Sequence, residues 1–145
     1  MSVYTTVDTE QLAVWLEALG LPAPSELSGI AAGMQNSNYF VVAGGRRWVL
    51  TIFEHLTPRE LAFFLALQDH LAVRDVLCPR PLATADGHFW RSLAGKPAAL
   101  FNCLPGACIE APSPAHCRSL GEMLARLHLA GADFPSPLPN PCGHA

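Results

Sequence analysis

The sequence predicts an α+β fold: a small antiparallel sheet with one helix inserted after its third strand. Three observations carry this expectation. Two alternating apolar runs, Asn38 to Val42 and Arg47 to Phe53, flank a Gly44-Gly45 pair. An apolar segment opened by Thr57-Pro58-Arg59-Glu60 follows them. Shorter strand-like runs then lead to a break at Leu104-Pro105-Gly106.

Each element has a local cause. Asp8 followed by Gln11 fits a helix-start box, and Leu12, Trp15, Leu16 and Leu19 share one helical face. Gly20, with Pro22 and Pro24 beyond it, ends that helix, predicted over 9–19. A strand around Glu26 to Ala31 would precede the two alternating runs and complete a three-stranded meander. Both residues of the Gly44-Gly45 turn accept positive φ, as a tight hairpin requires. In the third strand, Arg47, Val49, Thr51 and Phe53 alternate with Trp48, Leu50 and Ile52.

Thr57 is the predicted cap of the inserted helix, with Pro58 at its first position and Glu60 closing the box. The helix should run to about Val73. It is apolar on nearly all sides (Leu61, Phe63, Phe64, Leu65, Leu67, Leu71), which predicts deep burial. Strands are then expected over Arg80 to Thr84, His88 to Leu93 and Ala98 to Leu104, with turns at Asp86-Gly87 and Gly95-Lys96. Ser113-Pro114 opens a last helix carrying Leu120, Leu124 and Leu127. The tail from Phe134 is Pro-rich and reads as an extended linker.

Composition bounds the function. The chain has 145 residues, enough for one sizeable core. Hydrophobic residues make up 50% and charged residues 14%, which excludes a disordered chain and leaves apolar surface to meet something else. A net charge of −3 argues against nucleic-acid binding through a basic surface. No stretch approaches a membrane span, and no basic residue precedes the first apolar segment, so a cytoplasmic protein is expected. The five cysteines contain no CxxC pair and read as reduced thiols.

The residues Gly33-Met34-Gln35-Asn36-Ser37-Asn38 link two strands and admit two readings. Backbone N–H groups and amide donors could close over phosphates, as the glycine-rich flap of kinases does. On composition alone the plainer reading is a polar hairpin loop, since Gly, Asn and Ser make turns everywhere. Other constellations are weak. His116-Cys117 and Cys142-Gly143-His144 have no second pair at zinc-site spacing. Ser113 and Ser119 near His116 sit at a helix start, where serine is ordinarily a cap.

The segments GIAAGMQNSNYFV, RRWVLTIFE with LTPRELAFFLALQDHLA, CPRPLATADG, GKPAALFNCLPG and PAHCRSLGEMLARLHLAGADFP resemble, in this order, the N-terminal part of bacterial homoserine kinases. Those enzymes belong to the aminoglycoside phosphotransferase and choline kinase group of the protein-kinase-like fold. The resemblance implies a small nucleotide-binding lobe over 1–104, and over 105–145 the hinge and first helix of a truncated large lobe. It implies ATP with Mg²⁺ as cofactors and the side-chain hydroxyl of L-homoserine as acceptor. A choline-like or aminoglycoside-like acceptor, or a non-catalytic nucleotide-binding or oligomerising remnant, are the alternatives.

By the same resemblance, Gly33, Asn36, Ser37 and Asn38 would cover the ATP phosphates. Thr51 stands where the fold usually places a phosphate-contacting Lys or Arg, so Arg46, Arg47 or another residue would have to supply charge. Glu60 would match the glutamate that orients that cation, and its box position is the other reading. Asn102 and Leu104 would hold the adenine edge through their backbone. The catalytic Asp, the Asn and the magnesium-binding Asp of the fold have no counterpart here, since Asp133 and Asn140 lack the motif. The chain thus reads as the front part of such an enzyme, with its metal ligands elsewhere and a tendency to self-associate.

Overall fold

The computed structural model describes residues 4–135. Asn140, Cys142 and most of the Pro-rich tail lie outside them. The element order is α1 (Thr9–Glu17), β1 (Glu26–Gly29), β2 (Asn36–Ala43), β3 (Arg46–Phe53), α2 (Pro58–Ala72), β4 (Arg91–Leu93), β5 (Lys96–Asn102) and α3 (Pro114–Gly131). The five strands form one antiparallel sheet in the order β1-β2-β3-β5-β4. The α+β class and the helix inserted after the third strand are as the sequence predicts.

Helix starts follow the expected chemistry. Asp8 accepts from the N–H groups of Glu10 (2.7 Å) and Gln11 (3.4 Å). Gln11 contributes its backbone N–H to this cap, which falls short of a reciprocal box. Thr57 and Glu60 form the full reciprocal box. So do Ser113 and His116, whose Nδ1 accepts from the Ser113 N–H at 3.0 Å. Gly20, at φ 73°, reverses the chain after α1, and Leu21 N–H returns to Leu16 C=O. Gly44 and Gly45, at φ 60° and 71°, make the tight β2–β3 turn.

The sheet has a helix on each face. On one, Leu12, Trp15 and Leu16 of α1 meet Tyr39, Val41, Leu50, Ile52 and Leu100. On the other, Leu61 and Leu65 of α2 meet Phe53, Ala99 and Phe101. The strand alternation therefore sorts side chains into two cores. At about 25 cal/mol per Å² of apolar area, each fully buried leucine contributes roughly 1.5–3 kcal/mol.

Three elements differ from expectation. Helix α2 buries only Leu61, Leu65 and Leu71, while Phe63, Phe64 and Leu67 stay half-buried. The stretch from Arg80 to Thr84 makes a single bridge, Pro81 to Phe101, flanked by hydrogen bonds from Leu82 N–H to Leu100 C=O and from Asn102 N–H to Arg80 C=O. Pro81 has no N–H for a ladder, so a regular strand fails there. The expected strand from His88 begins only at Arg91.

Helix α3 has no fully buried residue. It is tied to α2 at its end. His70 Nε2 donates to Ala130 C=O (3.0 Å) and to Asp133 Oδ1 (3.2 Å), while Arg74 donates to Asp133 Oδ2 (3.0 Å). Phe134 packs edge-on against Phe63 and His70. No helix among the described residues is long and apolar enough to cross a membrane.

Candidate functional site

A groove of about 990 Å³ lies on the α2 side of the sheet. Its floor is the outward set of β2 and β3: Asn36, Asn38 and Phe40 beside Arg47, Val49, Thr51 and Phe53. Phe64, Leu67, Gln68 and Leu71 of α2 form one wall, and Cys103 to Gly106 beyond β5 form the other. The period of two along each strand puts these residues on one face. The groove is mostly apolar, and of its lining residues only Arg47 is charged.

Its two ends differ. At the end near the loop 30–35, Asn36, Asn38 and Thr51 form a polar corner. Thr51 Oγ1 donates to Asn38 Oδ1 (2.8 Å), and Asn38 Nδ2 donates to Asn36 C=O (3.3 Å). Gly33 sits in the loop at φ 141°, and a Cβ there would lie 3.2 Å from Asn38 Nδ2. The residue is thus fitted to a close approach that a larger side chain would strain. At the other end Arg47 lies over the Phe40 ring, 3.8 Å from its centroid.

Arg47 does not take the place of a cation at Thr51. They stand four positions apart in the strand, about 13 Å along β3. The register sets Arg47 opposite Val42, next to the Gly44-Gly45 turn, and Thr51 opposite Asn38. Its guanidinium is held on Phe40, so the polar corner stays neutral.

Of the residues singled out from sequence, Asn36, Asn38, Thr51, Asn102 and Leu104 line this groove. Asn102 spends its side-chain carbonyl on the Arg80 N–H (2.6 Å). Gly33 borders the polar corner through Asn38. Ser37 faces the opposite side. Strand β2 begins at Asn36, two residues earlier than expected, and the alternation then buries Ser37 on the α1 face. Its hydroxyl is engaged there, so a role for that side chain toward phosphates is corrected, and only its backbone adjoins the loop.

Glu60 accepts from Thr57 N–H (2.9 Å) and Thr57 Oγ1 (2.6 Å) at the start of α2. These bonds, the hydroxyl first, hold its carboxyl below the usual range. It does not line the groove, and Thr51 offers it no charge to orient.

Sequence reasoning missed Glu54. Its side chain is 4% exposed, behind the polar corner, where it takes hydrogen bonds from Ser37, Thr5 and Lys96. Burial pushes its carboxyl up, but the bonds from Lys96, Ser37 and Thr5 outweigh that, and the group sits below its ordinary range. Lys96 and Thr5 lie 42 and 49 residues away in sequence, so no local pattern signals the cluster.

The described residues contain no group of three or more His, Cys, Asp or Glu that could hold a metal. The groove suits a flat apolar group with a polar extension toward Asn36 and Asn38. A magnesium ion has no fitting ligand set among these residues.

Comparison with known proteins agrees with this architecture. Residues 26–141 match the phosphotransferase enzyme family. A homoserine kinase of Methylobacillus glycogenes is 49% identical over 134 residues, covering 92% of this chain and 42% of that protein. One of Cupriavidus pinatubonensis is 46% identical over 144 residues, covering 97% and 44%. This chain therefore spans less than half the length of these relatives. A solved structure from Ralstonia eutropha, provisionally assigned as an aminoglycoside phosphotransferase, shares the fold at a TM-score of 0.54 and 20% identity, over 76% of this chain and 33% of that one. The sheet with its inserted helix, the groove beneath it and the match over 26–141 agree: the chain belongs to the phosphotransferase enzyme family.

Proposed function

We propose that the groove receives ATP and that this chain forms the nucleotide-binding part of a kinase for the side-chain hydroxyl of L-homoserine, a step of threonine biosynthesis in the cytoplasm. The observation that carries the reading is the groove itself: apolar walls ending in a polar corner under a glycine-containing loop. The identity to homoserine kinases supports the acceptor. We divide the chain into a nucleotide lobe, 1–104, and a hinge with the start of a larger lobe, 105–145.

Each residue set has a distinct task. Val49, Phe101 and Leu56 would take the adenine by apolar contact, and Leu104 would read its edge through the backbone. Asn36 and Asn38 would orient the phosphates as neutral donors. Such donors position a phosphate but do not neutralise it. When bound, Mg·ATP supplies the γ-phosphoryl group that passes to the homoserine hydroxyl. The base and the metal ligands would come from residues beyond this span, and they supply most of the acceleration.

The test is a coupled assay of ATP consumption with the protein at its natural length. Homoserine-dependent turnover, with none on choline or an aminoglycoside, is the expected result. Turnover on choline or an aminoglycoside alone would replace the acceptor. Failure of ATP to protect the groove from hydrogen exchange would reject the site. The 145-residue chain by itself should bind nucleotide weakly and turn over nothing.

A further inference from the structure

We propose that Tyr4 and Thr5 form a strap that fixes the loop 30–35 over the groove, and that Glu54 is the positioning residue that holds the strap. The inference concerns how the loop is held, and rests on the nucleotide reading only for its effect on ATP.

The strap touches the loop directly. Tyr4 OH donates to Met34 C=O (3.2 Å), and Met34 is 91% exposed at the loop's outer side. Behind the loop, Ser37 Oγ is fully buried and fully used. It accepts from the N–H groups of Tyr4 (2.8 Å) and Thr5 (2.9 Å) and donates to Glu54 Oε1 (2.6 Å). Tyr39 OH donates to Thr5 C=O (2.6 Å). Thr5 thus has its N–H, its C=O and its hydroxyl engaged at once.

Glu54 joins the strap to the groove. Its carboxylate takes Thr5 Oγ1 (2.9 and 3.1 Å) and Lys96 Nζ, and Lys96 also reaches Thr5 Oγ1 (3.0 Å). Its own N–H donates to Asn36 Oδ1 (3.4 Å), inside the polar corner. One residue therefore ties the strap to a groove residue through its side chain and its backbone. The Lys96 side chain is 40% exposed and only the Glu54 end of the pair is buried, so the charge pair itself is a weak source of stability. What it contributes is fixed direction, and here the direction runs from the strap to the loop.

The test uses hydrogen exchange and steady-state kinetics on the protein at its natural length. Tyr4→Phe removes one bond and keeps the ring. It should speed exchange across residues 31–36 about fivefold, the change expected from one neutral hydrogen bond. The ATP KM should rise by a similar factor, with the homoserine KM and the exchange of α1 unchanged. Glu54→Gln should do the same more strongly. Should Glu54→Gln fail to fold, Tyr4→Phe decides alone. Loop exchange at the wild-type rate in folded Tyr4→Phe overturns the strap. Faster loop exchange with an unchanged ATP KM keeps the strap and overturns the nucleotide reading of the groove.

Discussion

Thr51 and Asn38 stand directly opposite each other across the β2–β3 ladder, and Thr51 Oγ1 donates to Asn38 Oδ1 at 2.8 Å. The bond turns the Asn38 amide so that its NH₂ group faces Asn36. A neutral pair thereby occupies this corner of the groove floor, and the Asn38 NH₂ group donates to Asn36 C=O.

Replacing Thr51 with Val should expose what that bond does. The swap keeps the shape and leaves Asn38 Oδ1 without its donor, at a cost of about 1 kcal/mol. Urea unfolding should show that loss, and the ATP KM should rise while the homoserine KM holds. Thr51→Ser, which restores the hydroxyl, should recover both. If Val and Ser behave alike, the hydroxyl has no part in ordering the corner.

Acid should weaken the fold through Glu54. Its carboxyl titrates below its ordinary 4.5 in the folded protein, so the unfolded chain binds its proton first. The stabilisation is therefore complete above pH 4.5 and is lost as pH falls through the folded value below it. Glu54→Gln should cost about 1.5–3 kcal/mol at pH 7, the range for hydrogen bonds to a charged group. The gap between wild type and variant should narrow as the pH drops through 4.5. A gap independent of pH would deny the carboxylate its role.

The junction of α2 and α3 should depend more on His70 than on Asp133. The His70 side chain is 13% exposed and bonds to the α3 backbone at Ala130, whereas Asp133 is 67% exposed. Exposed ion pairs contribute little. His70→Ala should speed hydrogen exchange across 114–131 well beyond the effect of Asp133→Asn. Equal exchange in the two variants would move the junction to the ion pair.

Helix α3 should make the 145-residue chain prone to association. Leu120, Leu124 and Leu129 are 60%, 45% and 78% exposed. Light scattering should show concentration-dependent oligomers, and Leu120→Lys with Leu124→Lys should reduce them. A wild-type chain that stays monomeric at high concentration would contradict this.

What the sequence made legible was local. Caps at Thr57 and Ser113, the Gly44-Gly45 turn and the two-faced β3 all depend on neighbours within four residues. The groove floor followed from the β3 alternation. The side of the sheet taken by Ser37 did not, because it depends on where β2 starts, and a start misplaced beyond Ser37 left it in the loop. The edge at Pro81 lost its strand to a missing N–H. Glu54 was illegible for a different reason: its partners come from Thr5, Ser37 and Lys96, which only the folded sheet brings together.

The two-residue turn between β2 and β3 has a consequence for how the chain is made. A hairpin closed by two glycines involves only local contacts, and local contacts form fast. The Glu54 carboxylate is therefore placed soon after its synthesis, but Lys96 follows 42 residues later. At ribosomal rates of about 5–20 residues per second, that is a wait of roughly 2–8 s. During it the acid has Thr5 and Ser37 but lacks its cation, β3 has an open edge toward the absent β5, and Thr5 lacks the lysine that completes its seat. A nascent chain paused in this interval would be the one most in need of a chaperone.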